Sequence, residues 1–168
     1  YYSLIDWHHP EFTVDSVHPL RDEPAEMEKN ASRDMKKYAQ YMRDQVTELL
    51  TGYGKIDVMW FDFSYPAGKY AGWPIGKGKD DWESEKLVRL IRSLQSHVII
   101  DDRLDLEGAG DFRSPEQYIP SNGIRDDAGN LIPWEGCQTF SGAWGYHRGE
   151  LAWKEPKMLI EMLVSREK

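Results

Sequence analysis

The stretch Gly54-Lys55-Ile56-Asp57-Val58-Met59-Trp60-Phe61-Asp62-Phe63 constrains the fold more than any other part of the chain. Ile56, Val58, Met59, Trp60 and Phe61 form an apolar run, bounded by Gly54 on one side and by Ser64, Pro66 and Gly68 on the other. That is the pattern of a buried strand. Alternation along the strand puts Asp62 on the face that carries Ile56, Val58 and Trp60. A lone carboxylate is costly to bury unless it is paired or sits at a wet strand end. In parallel α/β folds the C-terminal strand ends are where sites are built, so Asp62 is a candidate catalytic carboxylate. The plain alternative is a strand-end Asp that caps the next loop, and position alone leaves both readings open.

The segments around this strand alternate between strand and helix patterns, which argues for βα units and a parallel sheet. Tyr1-Tyr2-Ser3-Leu4-Ile5 reads as a strand already under way, so the sequence is expected to be a piece of a longer chain. Met35, Tyr38, Ala39, Met42, Val46, Leu49 and Leu50 recur with the helical period and predict a helix from about Ser32 to Thr51. Ser32 is the expected N-cap, and Gly52 or Gly54 the stop. The stripe fits a core-facing surface better than a partner-binding one. The segment from Tyr65 to Asp81, rich in Gly, Pro and Lys and carrying Tyr70 and Trp73, reads as a long loop of the kind that often bears function. A second helix is expected from Trp82 to Gln95, buried through Leu87, Val88, Leu90, Ile91 and Leu94. It leads into a strand at His97-Val98-Ile99-Ile100 that ends in Asp101-Asp102-Arg103. A weaker strand is expected near Gly136 to Phe140, and a last helix from Pro156.

Composition removes several classes of function. A formal net charge of -8 opposes nucleic-acid binding, which needs a basic face. No apolar run is long enough to span a membrane. The single Cys137 cannot form an intrachain disulfide, so cysteine usage does not fix the compartment. Seven Trp and nine Tyr are a heavy aromatic load, suited to flat amphipathic ligands such as sugars as well as to a core.

Other residues carry candidate chemistry. Arg103 could orient or poise a neighbouring carboxylate, or form a structural salt bridge. Glu116 and Glu135 are the two candidates for a second catalytic carboxyl group. Glu135 follows Trp134, and an acid beside an aromatic wall suits a general acid, but sequence leaves the choice open. Trp7-His8-His9-Pro10 invites a metal reading, yet adjacent side chains in an extended chain point apart, and no HExxH or Cys/His framework accompanies them. Gly76, Gly78 and the lysines between Lys69 and Lys79 do not make a phosphate loop, because the GxxxxGK[ST] pattern is missing.

Several of these segments, taken in order, resemble the glycoside hydrolase family 29 α-L-fucosidases. They are Tyr1 to Pro10, Tyr53 to Asp62, Asp102-Arg103, Asp111-Phe112-Arg113-Ser114-Pro115-Glu116, and Trp134-Glu135-Gly136-Cys137-Gln138-Thr139 running on to Trp144-Gly145-Tyr146. The resemblance implies an α/β fold, a (β/α)8 TIM-like barrel present here as a partial barrel that lacks the first strands. The whole chain, 1–168, would be part of that one catalytic domain, with no second domain. The implied activity is release of terminal α-L-fucose with retention. By the same likeness Asp62 is the nucleophile and Glu116 the acid/base, with Glu135 as its alternative. Arg103 touches the sugar, Trp144 packs on it, and Tyr1 or Tyr2 borders the pocket. Trp60 or Trp7 would add to the aromatic platform.

No cofactor and no metal are implied. The expected partner is a fucosylated oligosaccharide or glycoconjugate, in a periplasmic, secreted or lysosome-like compartment, and the oligomeric state stays open. The sequence also departs from the family. The early strands with their HWG-type and KHHDG-type segments, which supply fucose-binding histidines, are absent, so this piece is expected to be inactive alone. Phe63 stands where a small residue usually follows the nucleophile. Two rival readings remain. One is a non-catalytic carbohydrate-binding barrel, and the other a metal-dependent hydrolase using His8, His9, Asp101 and Asp102.

Overall fold

The computed structural model describes residues 1–66 and 75–164. Gly68 and the loop aromatics Tyr70 and Trp73 lie outside the described residues. Backbone packing divides the chain into two compact units, Tyr1–Asp111 and Phe112–Lys168.

The first unit is built on parallel pairing. Strands β1 (Tyr2–Ser3), β2 (Val58–Met59), β3 (Phe61–Asp62) and β4 (Ile99–Ile100) are short. β2 and β3 lie on one extended stretch interrupted only at Trp60. Its first half pairs with β4, Val58 opposite Ile99, and its second half with β1, Ser3 opposite Asp62. Both pairings are parallel, as expected from the sequence. Parallel strands cannot be joined by a tight turn, and two helical connections supply the crossovers. These are α2 (Met35–Gly52) between β1 and β2, and α4 (Ser84–Leu94) between β3 and β4. The described strands form three two-stranded pairs and no closed barrel.

The predicted helical stripe is the core of this unit. Tyr38, Ala39, Met42, Val46 and Leu50 of α2 are buried, packed with Met59, Phe61, Leu87, Ile91, Val98 and Ile100. Trp82 is fully buried among them, and its indole N–H donates to the Ser64 hydroxyl at 2.8 Å. The burial of the central strand is one-sided, however. Met59 and Phe61 face the helices, whereas Val58 is 43% exposed and its β4 neighbour Ile99 44%. The apolar run reads as a buried strand, but among the described residues the helices cover only its odd-numbered face.

The helix ends also differ from the sequence expectation. The long helix begins three residues later than Ser32. Asp34 is its cap, accepting from the Lys36 N–H at 2.9 Å, while Ser32 closes a short 3-10 turn, Lys29–Ser32. That turn follows a small helix, α1 (Pro24–Glu28), which carries no apolar stripe and no buried residue. The second predicted helix is split into α3 (Lys79–Trp82) and α4. The break falls at Glu83, in the left-handed region at φ 49, where its carboxylate is bonded to Arg43 at 2.6 Å and to Lys86. Lys77 is buried, and its ammonium donates to the Thr13 carbonyl at 2.7 Å and to Asp15 at 2.5 Å.

Gln95, just past α4, ties three elements together. Its amide N donates to the carbonyls of Leu50 and Gly54, at 2.7 and 2.8 Å, and its oxygen accepts from the Ile56 N–H at 2.9 Å.

The second unit has little regular structure. A hairpin absent from the sequence reading pairs β5 (Ile124–Arg125) with β6 (Leu131–Ile132) across Asp126, whose carboxylate accepts from Asn130. The strand expected near Gly136 to Phe140 is reduced to isolated parallel bridges, Arg113 with Trp134 and Glu116 with Cys137. Pro115 has no N–H to extend that ladder. The final helix, α5 (Pro156–Val164), begins at the expected proline. No helix among the described residues is long and apolar enough to cross a membrane.

Truncating Trp82 to Ala should remove about 3–5 kcal/mol of stability, measured as a lowered denaturant midpoint. A loss below about 1 kcal/mol would show that Trp82 does not anchor the unit.

Candidate active site

The strand-end position of Asp62 becomes a cluster in the first unit. Its Oδ1 accepts from the Arg103 guanidinium at 3.1 Å and from the Phe63 N–H at 2.9 Å. Its Oδ2 accepts from the Tyr1 hydroxyl at 2.6 Å. The side chains of Asp62 and Arg103 are each 19% exposed, so the pair is partly shielded and still reachable. Trp60 supplies the aromatic wall. Tyr1 stacks on it with ring centres 5.4 Å apart, and the Arg103 guanidinium lies 4.5 Å from its ring centre. The geometry follows from register. Trp60 and Asp62 point the same way from the central strand, Tyr1 stands level with Trp60, and its ring reaches forward to the carboxylate.

Phe63 adopts φ 77, a backbone state that disfavours side chains larger than glycine. In this state its N–H is directed onto the Asp62 carboxylate. Only glycine would enter this state freely, so Phe63 makes the turn at some backbone strain.

Asp101, at the end of β4, is 1% exposed. Its Oδ1 accepts from the Phe61 N–H at 3.1 Å, and its Oδ2 has no hydrogen-bond partner among the described residues. Burial lifts its carboxyl group from 3.8 to about 7, helped by the charge of Asp102 and opposed by N–H donation from Phe61 and Arg103. Asp111 braces the same strand end. Its carboxylate accepts from the Ile100 N–H at 2.7 Å and from Arg92 at 2.5 Å.

Asp62, Trp60 and Arg103 are therefore brought together, with Tyr1 rather than Tyr2 on the carboxylate. Tyr2 turns toward α2 and donates to Gln45 at 2.7 Å, with its ring edge-on to Phe61. Trp7 packs edge-on to His18, ring centres 6.1 Å apart. His9 lies against Tyr38 and Tyr41. No group of three or more His, Cys, Asp or Glu side chains able to hold a metal occurs among the described residues, so the metal-hydrolase rival has no ligand set there.

Glu116, Glu135 and Trp144 belong to the second unit, and all three are exposed. Within that unit Glu116 and Glu135 lie on neighbouring segments. The Glu135 N–H donates to the Arg113 carbonyl at 2.9 Å, and the Cys137 N–H to the Pro115 carbonyl at 3.0 Å. In this parallel register Glu116 stands about two positions past the residue opposite Glu135. The alternatives left open by sequence are thus side by side in one element. Sequence reasoning missed the donation by Phe63 and the buried rung at Asp101. The only signal for either was an acidic residue directly after an apolar run.

A sequence model described as alpha-L-fucosidase matches residues 1–166. Among solved structures the chain is similar to alpha-L-fucosidase isoenzyme 1 from Paenibacillus thiaminolyticus. The identity is 41% and the TM-score 0.83, over 98% of this chain and 39% of that one. It is also similar to the alpha-L-fucosidase AlfC from Lactobacillus casei in complex with alpha-L-fucose product, at 21% identity and TM-score 0.65, covering 99% of this chain and 48% of that one. An alpha-L-fucosidase from Vibrio sp. strain EJY3 matches at 24% identity and TM-score 0.66, over 96% of this chain and 26% of that one. At the two lower identities the likeness is one of fold. The chain spans less than half the length of each of these proteins. Comparison with curated proteins gives no match.

The raised Asp101 acid makes stability depend on pH. The folded state holds the proton more tightly than the unfolded chain, so this contribution is complete below about pH 3.8 and is lost as pH rises through about 7. Asp101→Asn removes the titration. The stability of the variant relative to the parent should rise between pH 4 and pH 8, as followed by melting temperature. A gap constant across that range would contradict the assignment.

Proposed function

The chain belongs to the alpha-L-fucosidase family, and from that premise we propose that it carries the nucleophile half of a retaining α-L-fucoside hydrolysis. The observation that carries this reading is the Asp62 cluster, a partly shielded strand-end carboxylate with three donors on its two oxygens and an aromatic wall beside it. In the proposed reaction an Asp62 oxygen attacks the anomeric carbon. The bond to the leaving oxygen breaks, and Glu116 gives that oxygen its proton. Glu116 then takes a proton from water, the hydroxide oxygen bonds to the anomeric carbon, and Asp62 departs as carboxylate. Retention requires the two carboxyl groups about 5–5.5 Å apart. Arg103 opposes the negative charge that returns to Asp62 as it leaves. Trp60 and Trp144 would offer the apolar sugar face and methyl group an aromatic surface.

A TIM-like barrel is the architecture we propose around this site. All-parallel sheets normally have both faces covered. Here the odd face of the central strand lies under helices, while the even face keeps Val58 and Ile99 exposed beside Trp60 and Asp62. An even face turned into a barrel interior would place Asp62 where such folds build their sites. The fucosylated substrate is proposed from the Lactobacillus casei relative, which holds α-L-fucose. A periplasmic, secreted or lysosome-like location rests on the family resemblance alone.

The test is turnover of an aryl α-L-fucoside by the native protein that carries this chain. Asp62→Ala should abolish it while substrate still binds, and azide should restore part of the rate by taking the place of the carboxylate. Fucoside binding without turnover by the native protein would instead favour a non-catalytic sugar-binding barrel.

The two glutamates are separated by leaving group. Glu116→Ala should slow natural fucosides roughly 100-fold or more and activated aryl fucosides far less, because a general acid matters most for a poor leaving group. Glu135→Ala should slow both alike. The opposite pattern would exchange their roles.

A further inference from the structure

Asp101 takes no part in the reaction above, yet it occupies an unusual place in the sheet. The β2–β4 ladder runs through the Ile99 N–H to the Asp57 carbonyl, at 3.0 Å, and the Asp101 N–H to the Met59 carbonyl, at 3.4 Å. Continuing this parallel pattern, the next rung would join the Phe61 N–H to the backbone carbonyl of Asp101. It is formed by the Asp101 side chain instead, through Oδ1 at 3.1 Å. The backbone carbonyl of Asp101 lies against Gly110, so close that a Cβ on that glycine would come within 2.9 Å of it.

The segment Asp101-Asp102-Arg103 therefore holds the Asp62 region twice. Asp101 takes the N–H of the residue before Asp62, and Arg103 takes the Asp62 carboxylate itself. A buried side-chain acceptor with a second buried oxygen left unpartnered is a costly way to satisfy the backbone N–H groups of Phe61 and Arg103.

We infer that Asp101 is a positioning residue for the nucleophile, its side-chain oxygen standing in for a backbone rung under Phe61 and so fixing where the Asp62 carboxylate points. This rests on the reading of Asp62 as nucleophile. The charged groups that bear on Asp101 are Asp102 and Arg103 of its own segment, while β3 presents the Phe61 N–H.

Two variants of the native protein test it. Asp101→Asn keeps an acceptor for the Phe61 N–H, whereas Asp101→Leu has similar bulk and none. With an aryl α-L-fucoside, Asp101→Leu should lose roughly 10- to 100-fold in kcat with KM little changed, since small misplacements cost this much. Asp101→Asn should stay within a few-fold of the parent. Equal losses in both variants, or a kcat near that of the parent in Asp101→Leu, would overturn the proposal.

Nuclear magnetic resonance gives a readout that needs neither activity nor the Leu variant. The Phe61 amide and the Asp62 carboxyl carbon should both shift with a midpoint near pH 7 in the parent, and both shifts should vanish in Asp101→Asn. An Asp62 carbon that ignores the Asp101 transition refutes positioning. Absence of turnover by the parent would sink the fucosidase reading alone, and the resonance titration would still decide Asp101.

Discussion

Parallel pairing of the Val58–Asp62 stretch with a strand on each side is the constraint from which the rest follows. It obliges the chain to travel through helices between strands, which gives α2 and α4 their place and their buried stripe. It also sends the four strands of the first unit in one direction. Asp62 and the Asp101–Arg103 segment then emerge at the same end of the sheet, and Tyr1 reaches them along the shared face. An antiparallel arrangement would have carried Arg103 to the other end.

The parts of this that sequence shows are those set by periodicity over many residues. The stripe from Met35 to Leu50 and the position of Asp62 at the end of an apolar run each reflect a repeated choice, and the structure agrees with both. Single-residue competitions are harder to read. Ser32 and Asp34 are both good caps, and Asp34 holds the position with its own side chain. Glu83 has a helix-favouring side chain, but the bond to Arg43, forty residues away, accompanies a left-handed kink there. The buried face of the central strand was equally hidden, because an apolar run looks the same whether one side or both are covered.

Within the candidate site the same division holds. Asp62, Trp60 and Arg103 could be proposed from where they sit relative to strand ends. The choice of Tyr1 over Tyr2 depended on which parity faces α2, and Gln45 on that helix supplies the partner that draws Tyr2 inward. Phe63 and Asp101 act through backbone geometry and through a backbone N–H, for which side-chain identity is a poor guide. Glu116 and Glu135 are both exposed and both lie on the same pair of bridged segments, so neither burial nor register separates them.

Gln95 makes separate pieces open and close as one. Its three hydrogen bonds join the end of α2, the turn at Gly54 and the start of the central strand to the end of α4. None of these ends can fray without giving up a bond to the same amide. Local fluctuations of the two crossover helices are thereby coupled at the edge of the sheet opposite the carboxylate.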